Sequence, residues 1–437
     1  MTGKNTAYLI ISLIIIGLIL SYYNICQELP NNMSLLKDSE SILELSLPFG
    51  VYVRENNFDN KDVLSINGKK LNNNYRKFTA NDSLSLEARE IGQTVLDFRI
   101  FGIIPLRTLK INVIPEIEVQ PGGQAIGVLM KSKGVMVVGI SSVIGDDGQK
   151  YFPAKDAGIN IGDRIIAING ERINEKFKLA SLLQEVGIDG GEIKLKIVRA
   201  GDGIKEIEIS PVRDHQGMYL IGLYVDDSVA GVGTLTFHRP DSREFGALGH
   251  LITETHSQTK IEIREGKIVN ANISGINTGQ KGIPGEKMGT FFESKDQLGK
   301  IINNSEYGIF GILEGELEDN PYFSQPIPVA AISSIKRGPA KMYTVIRGGE
   351  IEEFNINIER VFYQSKPEDK GLIIDIVDPE LEQSTGGIVQ GMSGSPIVQD
   401  DKLVGAVTHV FVNNPTRGYG VFAEWMLLQT ETYKKAS

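Results

Sequence analysis

Apolar and polar residues alternate with a period of two at several places along this chain. Leu96, Phe98 and Ile100 alternate with Asp97 and Arg99, and Leu109, Ile111 and Val113 alternate with Lys110 and Asn112. This pattern marks half-buried strands, and Gly102 and Pro105 separate the two runs. Ile193, Leu195 and Ile197, set between Lys194 and Lys196, predict a further strand. One stretch follows the helical period instead: Phe177, Leu179, Leu182, Leu183 and Val186 share a face. It predicts a helix over 175–186 with Asn174 as N-cap and Gly187 as C-cap. Beyond about residue 216, short apolar runs lie between glycine-rich turns, at 231–237, 307–313, 371–374 and 403–407. That spacing predicts a mostly antiparallel sandwich or barrel. The expected fold class is mainly β with some α.

The longest apolar run is 7–23, AYLIISLIIIGLILSYY, whose 17 residues predict a transmembrane helix with Tyr22 and Tyr23 at the interface. Lys4 precedes it and a net-acidic stretch follows. Residues 1–6 are therefore expected in the cytoplasm and the remaining mass outside. The run continues into Ser21-Tyr22-Tyr23-Asn24-Ile25-Cys26, without the small residues of a signal-peptidase or lipoprotein site, so the anchor is read as uncleaved. Residues 24–45 read as a linker that opens polar. A small β domain is expected at 46–118, a second domain at 119–215 and a third at 216–437.

The chain of 437 residues suits about three domains. Its net charge of −10 and the lack of a basic run exclude nucleic acid as a partner. A single cysteine, Cys26, excludes a disulfide framework and a cysteine-rich zinc site. Five histidines, none in HExxH spacing, argue against a zinc protease.

Gly391-Met392-Ser393-Gly394-Ser395-Pro396 has the residues needed to present a nucleophilic serine on a tight turn. In such a turn the backbone N–H groups of Gly391 and Ser393 can converge on a developing oxyanion. Ser395, in the same turn, is the rival nucleophile; Pro396 after it points to a structural role. The general base is sought among five histidines. His250 ranks first, because Gly246-Ala247-Leu248-Gly249 delivers it at a strand end; His238 and His409 stand behind. The order histidine then serine is similar to that of chymotrypsin-type enzymes. Two acids, Asp375 and Asp378, are open as the group that orients the base. Such a site needs neither metal nor organic cofactor.

Residues 156–170, DAGINIGDRIIAING, closely resemble PDZ domains of the bacterial protease type. The resemblance implies a peptide ligand bound by strand addition, captured at a loop that includes Ile126, Gly127 and Val128.

The whole order — anchor, β region, PDZ, the GALGH segment, then GGIVQGMSGSPI — resembles the stage IV sporulation protein B peptidases of spore-forming Gram-positive bacteria. The likeness is most specific at 231–256, 281–288 and 386–397. It implies a chymotrypsin-like β-rich peptidase with His250, Ser393 and Asp378 as its catalytic residues. It also implies a signalling endopeptidase on the inner forespore membrane, single-pass, with its bulk between forespore and mother cell. Such an enzyme would cut itself and an extracytoplasmic part of a regulatory membrane protein, leading to activation of a late sigma factor. Self-cleavage is expected around residues 30–60, in loop-like chain. The contrasting reading is a non-catalytic membrane-tethered PDZ adaptor. A quality-control protease is disfavoured, because there the PDZ follows the protease.

Overall fold

The computed structural model describes residues 32–37, 40–43, 51–56, 62–70, 74–79, 84–253, 260–291, 297–362, 364 and 367–430. The expected anchor at 7–23, Cys26 and His256 lie outside them. Among the described residues no helix is long and apolar enough to cross a membrane.

The predicted alternation at 96–100 and 109–113 becomes two long paired strands, Gly92–Ile100 and Ile104–Ile114. They turn at Phe101 and Gly102, both with positive φ. Their sheet runs in the order Asn32–Leu36, Ile104–Ile114, Gly92–Ile100, Val51–Asn56, Arg76–Phe78. A second sheet, Glu40–Leu43, Leu84–Ala88, Leu64–Ile66 and Lys69–Lys70, shares its core: Leu35, Phe98 and Leu109 from one sheet join Ile66 and Leu86 from the other. The linker expected at 24–45 is thus corrected where it is described. Asn32–Leu36 pairs in parallel with Lys110–Ile114 because Leu35 supplies a fully buried side chain to that core. The same strands take up much of the 30–60 segment expected for self-cleavage, and backbone held in ladders is a poor protease substrate.

Two sixteen-residue strands, Ala125–Ile140 and Leu223–His238, run antiparallel and organise the rest of the chain. Ala125–Ile140 pairs on its other side with Ile263–Asn270. The ladder continues through Gln297–Ser305, Gly308–Leu313 and Glu244–Ala247 back to Leu223–His238, which closes a ring of six strands. A second closed barrel follows: Gly338–Thr344, Glu352–Val361, Leu372–Ile376, Asn414–Phe422, Lys402–Phe411 and Pro396–Gln399. Each barrel has its own apolar core, one around Leu235, Phe245 and Ile268, the other around Met342, Met392 and Phe422.

This ladder moves the boundary expected at 215/216. The first barrel begins with the first half of Ala125–Ile140 and resumes at about residue 229, so residues 133–228 form an insert between two neighbouring barrel strands. Ile126, Gly127 and Val128, expected as a peptide-capture loop, are buried in mid-sheet. They face Gly233, Val232 and Gly231 on one side and Asn270, Val269 and Ile268 on the other. Both edges are filled, so no peptide can add there.

The insert has its own core of Val135, Ile165, Leu179, Leu195 and Ile221, among others. Its helix spans Lys176–Ile188, ending two residues later than the pattern predicts. Glu175 stands at the N-cap without a capping side chain, while the Asn174 side chain accepts instead from the Gly134 N–H at 3.3 Å. Gly187 is inside the helix, where a Cβ would lie 2.2 Å from Tyr219 Cγ; it is glycine because the Tyr219 ring lies on the helix. Residues 223–226 pair with the 136–140 edge beside this helix, and Lys176 bonds Asp226 and Asp227.

A chain beginning at residue 216 lacks a strand of the first barrel. It is expected to lose the cooperative melting transition that a chain beginning at residue 116 keeps. Calorimetry of the two fragments checks this, and a cooperative melt of the shorter one would contradict the insertion.

Candidate active site

The nucleophile loop, Gly386 to Ser395, belongs to the second barrel but is held from the first. The Thr234 hydroxyl donates to the Gly391 carbonyl at 2.7 Å, and the Thr236 hydroxyl donates to that of Gly394 at 2.8 Å. The Thr234 N–H donates to the Ser393 carbonyl at 3.0 Å. Alternation in the strand puts Thr234 and Thr236 on one face, and both are fully buried. Met392 anchors the loop in the second core. Gly391 and Gly394 have φ of +93° and +94°. A Cβ on Gly394 would lie 2.0 Å from the Thr234 carbonyl oxygen, so only glycine fits there.

Three carbonyls of the loop are thereby tied down, while two amides are left free. Among the described residues, the N–H groups of Gly391 and Ser393 donate no hydrogen bond. Unpaired backbone donors beside a nucleophile are what an oxyanion hole requires.

His250 arrives from the opposite barrel. Strand Glu244–Ala247 ends in a tight turn closed by the Gly249 N–H on the Ala247 carbonyl at 2.9 Å. Leu248 at its centre has φ +69°, an uncommon state for a non-glycine residue. Burial of the Leu248 side chain in the first core holds it there. His250 Nδ1 lies 2.9 Å from the Leu251 carbonyl. Only a protonated Nδ1 can bond to a carbonyl, so the neutral ring keeps its lone pair on Nε2, the tautomer a general base needs.

Ser393 and His250 share the wall of one cavity of about 460 Å³. It is mostly aliphatic, with Val128, Val229 and Val232 on one side and Ile388, Val389 and Val410 on the other. The Ser393 hydroxyl donates to the Thr408 carbonyl at 2.7 Å. Proton transfer to His250 therefore requires the hydroxyl to exchange that acceptor for Nε2; such bonds often form only in the substrate complex. Burial lowers the His250 pKa, and the Leu251 carbonyl and the Asp369 carboxylate partly oppose the shift.

The other histidines separate cleanly. His409 lines the same cavity, its ring centroid 5.0 Å from that of His250. Burial first, then the neighbouring His250, pushes its pKa down to about 4. His238 lies elsewhere, bonded to Asp319 at 3.1 Å.

The structure engages Asp378 away from His250. It is the N-cap of helix Pro379–Thr385 and accepts from the Glu380 and Leu381 N–H groups at 3.1 and 3.4 Å. It also accepts from the backbone and side-chain amides of Asn355, both at 3.1 Å. Burial would raise its pKa, but these bonds prevail and lower it. Asp375 bonds Thr416 instead. Ser395 is fully buried and donates to the Thr344 hydroxyl oxygen at 2.9 Å, a structural role. Sequence reading missed Thr234, Thr236 and Thr408, and it gave no task to Lys287, which lies beneath Gly391.

Two outcomes test this geometry. Asp378→Asn preserves a good N-cap and is expected to keep kcat within about tenfold, whereas Asp378→Ala loses about 1 kcal/mol of stability. A fall in kcat of about 10⁴-fold for Asp378→Asn would instead mark a triad carboxylate. The acid limb of kcat/KM is expected below 6.5, the ordinary histidine value from which burial lowers His250. A limb at or above 6.5 in a pH–rate profile would mean that a carboxylate pairs with the ring.

Residues 217–427 match the family model described as SpoIVB peptidase S55, a range that includes His250 and Ser393 and omits the first barrel strand. Among solved structures, the protease Rv3671c from M. tuberculosis is similar at 14% identity in both its inactive and its active form. The inactive form covers 47% of this chain and 84% of its own, with a TM-score of 0.26. The active form covers 46% and 73%, with a TM-score of 0.25. Residues 217–427 belong to the SpoIVB peptidase S55 family, and the chain is a serine peptidase.

Proposed function

We propose that this peptidase is membrane-anchored, cleaves its own chain, and cuts an extracytoplasmic region of a regulatory membrane protein to signal activation of a late sporulation sigma factor. One observation carries the catalytic part: Ser393, His250 and two unpaired amides converge on a single cavity. His250 takes the Ser393 proton as the hydroxyl attacks a peptide carbonyl, and the imidazolium returns it to the leaving amine. The Gly391 and Ser393 amides stabilise the oxyanion. The aliphatic walls suit a substrate with an apolar side chain beside the scissile bond.

The apolar run at 7–23 supports an anchor in the inner forespore membrane, with the catalytic mass between forespore and mother cell. The insert of residues 133–228 acts in this reading as a PDZ module that recruits a peptide or restrains the enzyme. Its support is the 156–170 signature together with a helix packed beside a strand edge. One observation favours a latent resting state: the Ser393 hydroxyl is engaged with Thr408 rather than with His250.

The full-length chain in detergent micelles, and its Ser393→Ala variant, test the assignment. Intact mass is followed at neutral pH with and without a fluorophosphonate probe. The parent is expected to cleave itself and to carry the label on Ser393, and the variant to do neither; loss of Ser393 lowers kcat on the order of 10⁶-fold in comparable enzymes. A folded parent that stays whole and unlabelled would favour the adaptor reading.

A further inference from the structure

Lys287 is an anomaly that the catalytic assignment leaves over. Its side chain is 2% exposed, and lysine is almost never buried without a counter-charge. Among the described residues no carboxylate pairs with it. Its amine donates to the Thr344 hydroxyl oxygen at 2.7 Å, and the Ser395 hydroxyl donates to the same atom. Burial alone pushes its pKa down to about 7. Methionine or leucine would fill the same space without the cost of desolvating an amine.

The surroundings of Lys287 explain what that cost maintains. Its N–H donates to the Gln390 carbonyl at 2.9 Å, while the Gln390 N–H donates to the Gly285 carbonyl at 2.8 Å. The residue before the oxyanion glycine is thus gripped from both sides. The lysine stem then runs directly beneath Gly391: a Cβ built there would be 3.0 Å from Lys287 Cβ and 3.1 Å from Cδ. The amine ends at Thr344, the last residue of strand Gly338–Thr344, and through that hydroxyl reaches Ser395. A single residue, through its backbone and its side chain, therefore spans the loop from one residue before the oxyanion donors to two residues after the nucleophile.

We propose that Lys287 is a positioning residue for the oxyanion hole, bracing Gly391 and Ser395 from below so that the free N–H groups of Gly391 and Ser393 keep one direction. The idea rests on the assignment of those amides in the proposed function. Fluorophosphonate labelling of the parent at Ser393 tests that assignment separately.

The test compares the full chain with Lys287→Met in kcat, KM, and affinity for two ligands. One is a peptide aldehyde, whose hemiacetal oxygen occupies the oxyanion hole. The other is the matching product peptide, which does not use it. Lys287→Met is expected to lower kcat by about 10- to 100-fold, below the loss from deleting a donor outright, with KM unchanged. Aldehyde affinity should fall by a similar factor and product affinity should hold.

Stability should move the other way. A lysine that titrates near 7 when folded and at its ordinary 10.5 when unfolded binds fewer protons in the folded state between those values. The parent then gains stability as pH rises through that window and carries the full penalty below it. Lys287→Met is therefore expected to be at least as stable as the parent at pH 7, with its advantage shrinking toward pH 10.

Unchanged kcat and aldehyde affinity in Lys287→Met would overturn the proposal. So would an equal loss of both ligands with a lowered melting temperature, which marks a merely structural lysine. If Lys287→Met does not fold, Thr344→Val carries the comparison, because it keeps the stem and removes the amine's acceptor. Wild-type kcat and aldehyde affinity in a folded Thr344→Val would then overturn it.

Discussion

The catalytic loop depends on a grip across two barrels. Strand Leu223–His238 of the first barrel contributes two threonine hydroxyls and one amide to the carbonyls of Gly391, Ser393 and Gly394 in the second. Each of these bonds is buried, where an unpaired partner costs more than the bond itself returns. The Gly391 and Ser393 amides are aimed by the carbonyls of their own peptide units, those of Gln390 and Met392, which accept from the Lys287 and Ser395 N–H groups at 2.9 Å each; the unit is planar and its N–H points away from its C=O. The free donors at Gly391 and Ser393 are thus a by-product of satisfying their neighbours. Glycine at 391 and 394 is the steric condition for this turn, and the lysine beneath it supports the same loop from the other side.

The electrostatics of the site follow from its dryness. His250 and His409 sit close together in a largely aliphatic cavity, and both pKa values are lowered. Two imidazoles at that separation would repel if both were charged, which adds to the burial that pushes His409 down to about 4. The Leu251 carbonyl fixes the ring tautomer in the role usually filled by a carboxylate. Asp369 adds a more distant negative potential that favours the imidazolium formed during attack.

Ser393 and His250 were legible in the sequence because glycine punctuation marks places where a chain must turn tightly, and both residues follow such turns. The strands at 92–114 were legible for an equally local reason, the period of two. Asp378 stands in the structure as an N-cap, and its neighbours carried that message. Pro379 at the first helical position and Glu380 and Glu382 in the first turn describe an N-cap, but a family likeness pointed elsewhere. The split of the first barrel was not legible at all. Nothing local distinguishes a barrel strand from the start of an insert, because only pairing partners a hundred or more residues away decide it. Thr234, Thr236 and Lys287 were hidden in the same way: their roles exist only where two distant segments meet.

The insert runs by continuous backbone into the strand that holds the catalytic loop. Leu223–His238 begins beside the insert's helix, where residues 223–226 fill the edge of strand 136–140, and ends past Thr234 and Thr236. The register between the two long strands shifts between Lys131 and Met136, a bulge that lets the insert bend relative to the barrel. Sliding is not available, since a slip of one residue would turn every buried side chain of the barrel outward. Residues 223–226 pair with 136–140 on one side, and among the described residues no strand pairs with their other side. They are the first residues of the strand that grips the nucleophile loop. The insert and the loop at Ser393 therefore rest on one strand, Leu223–His238.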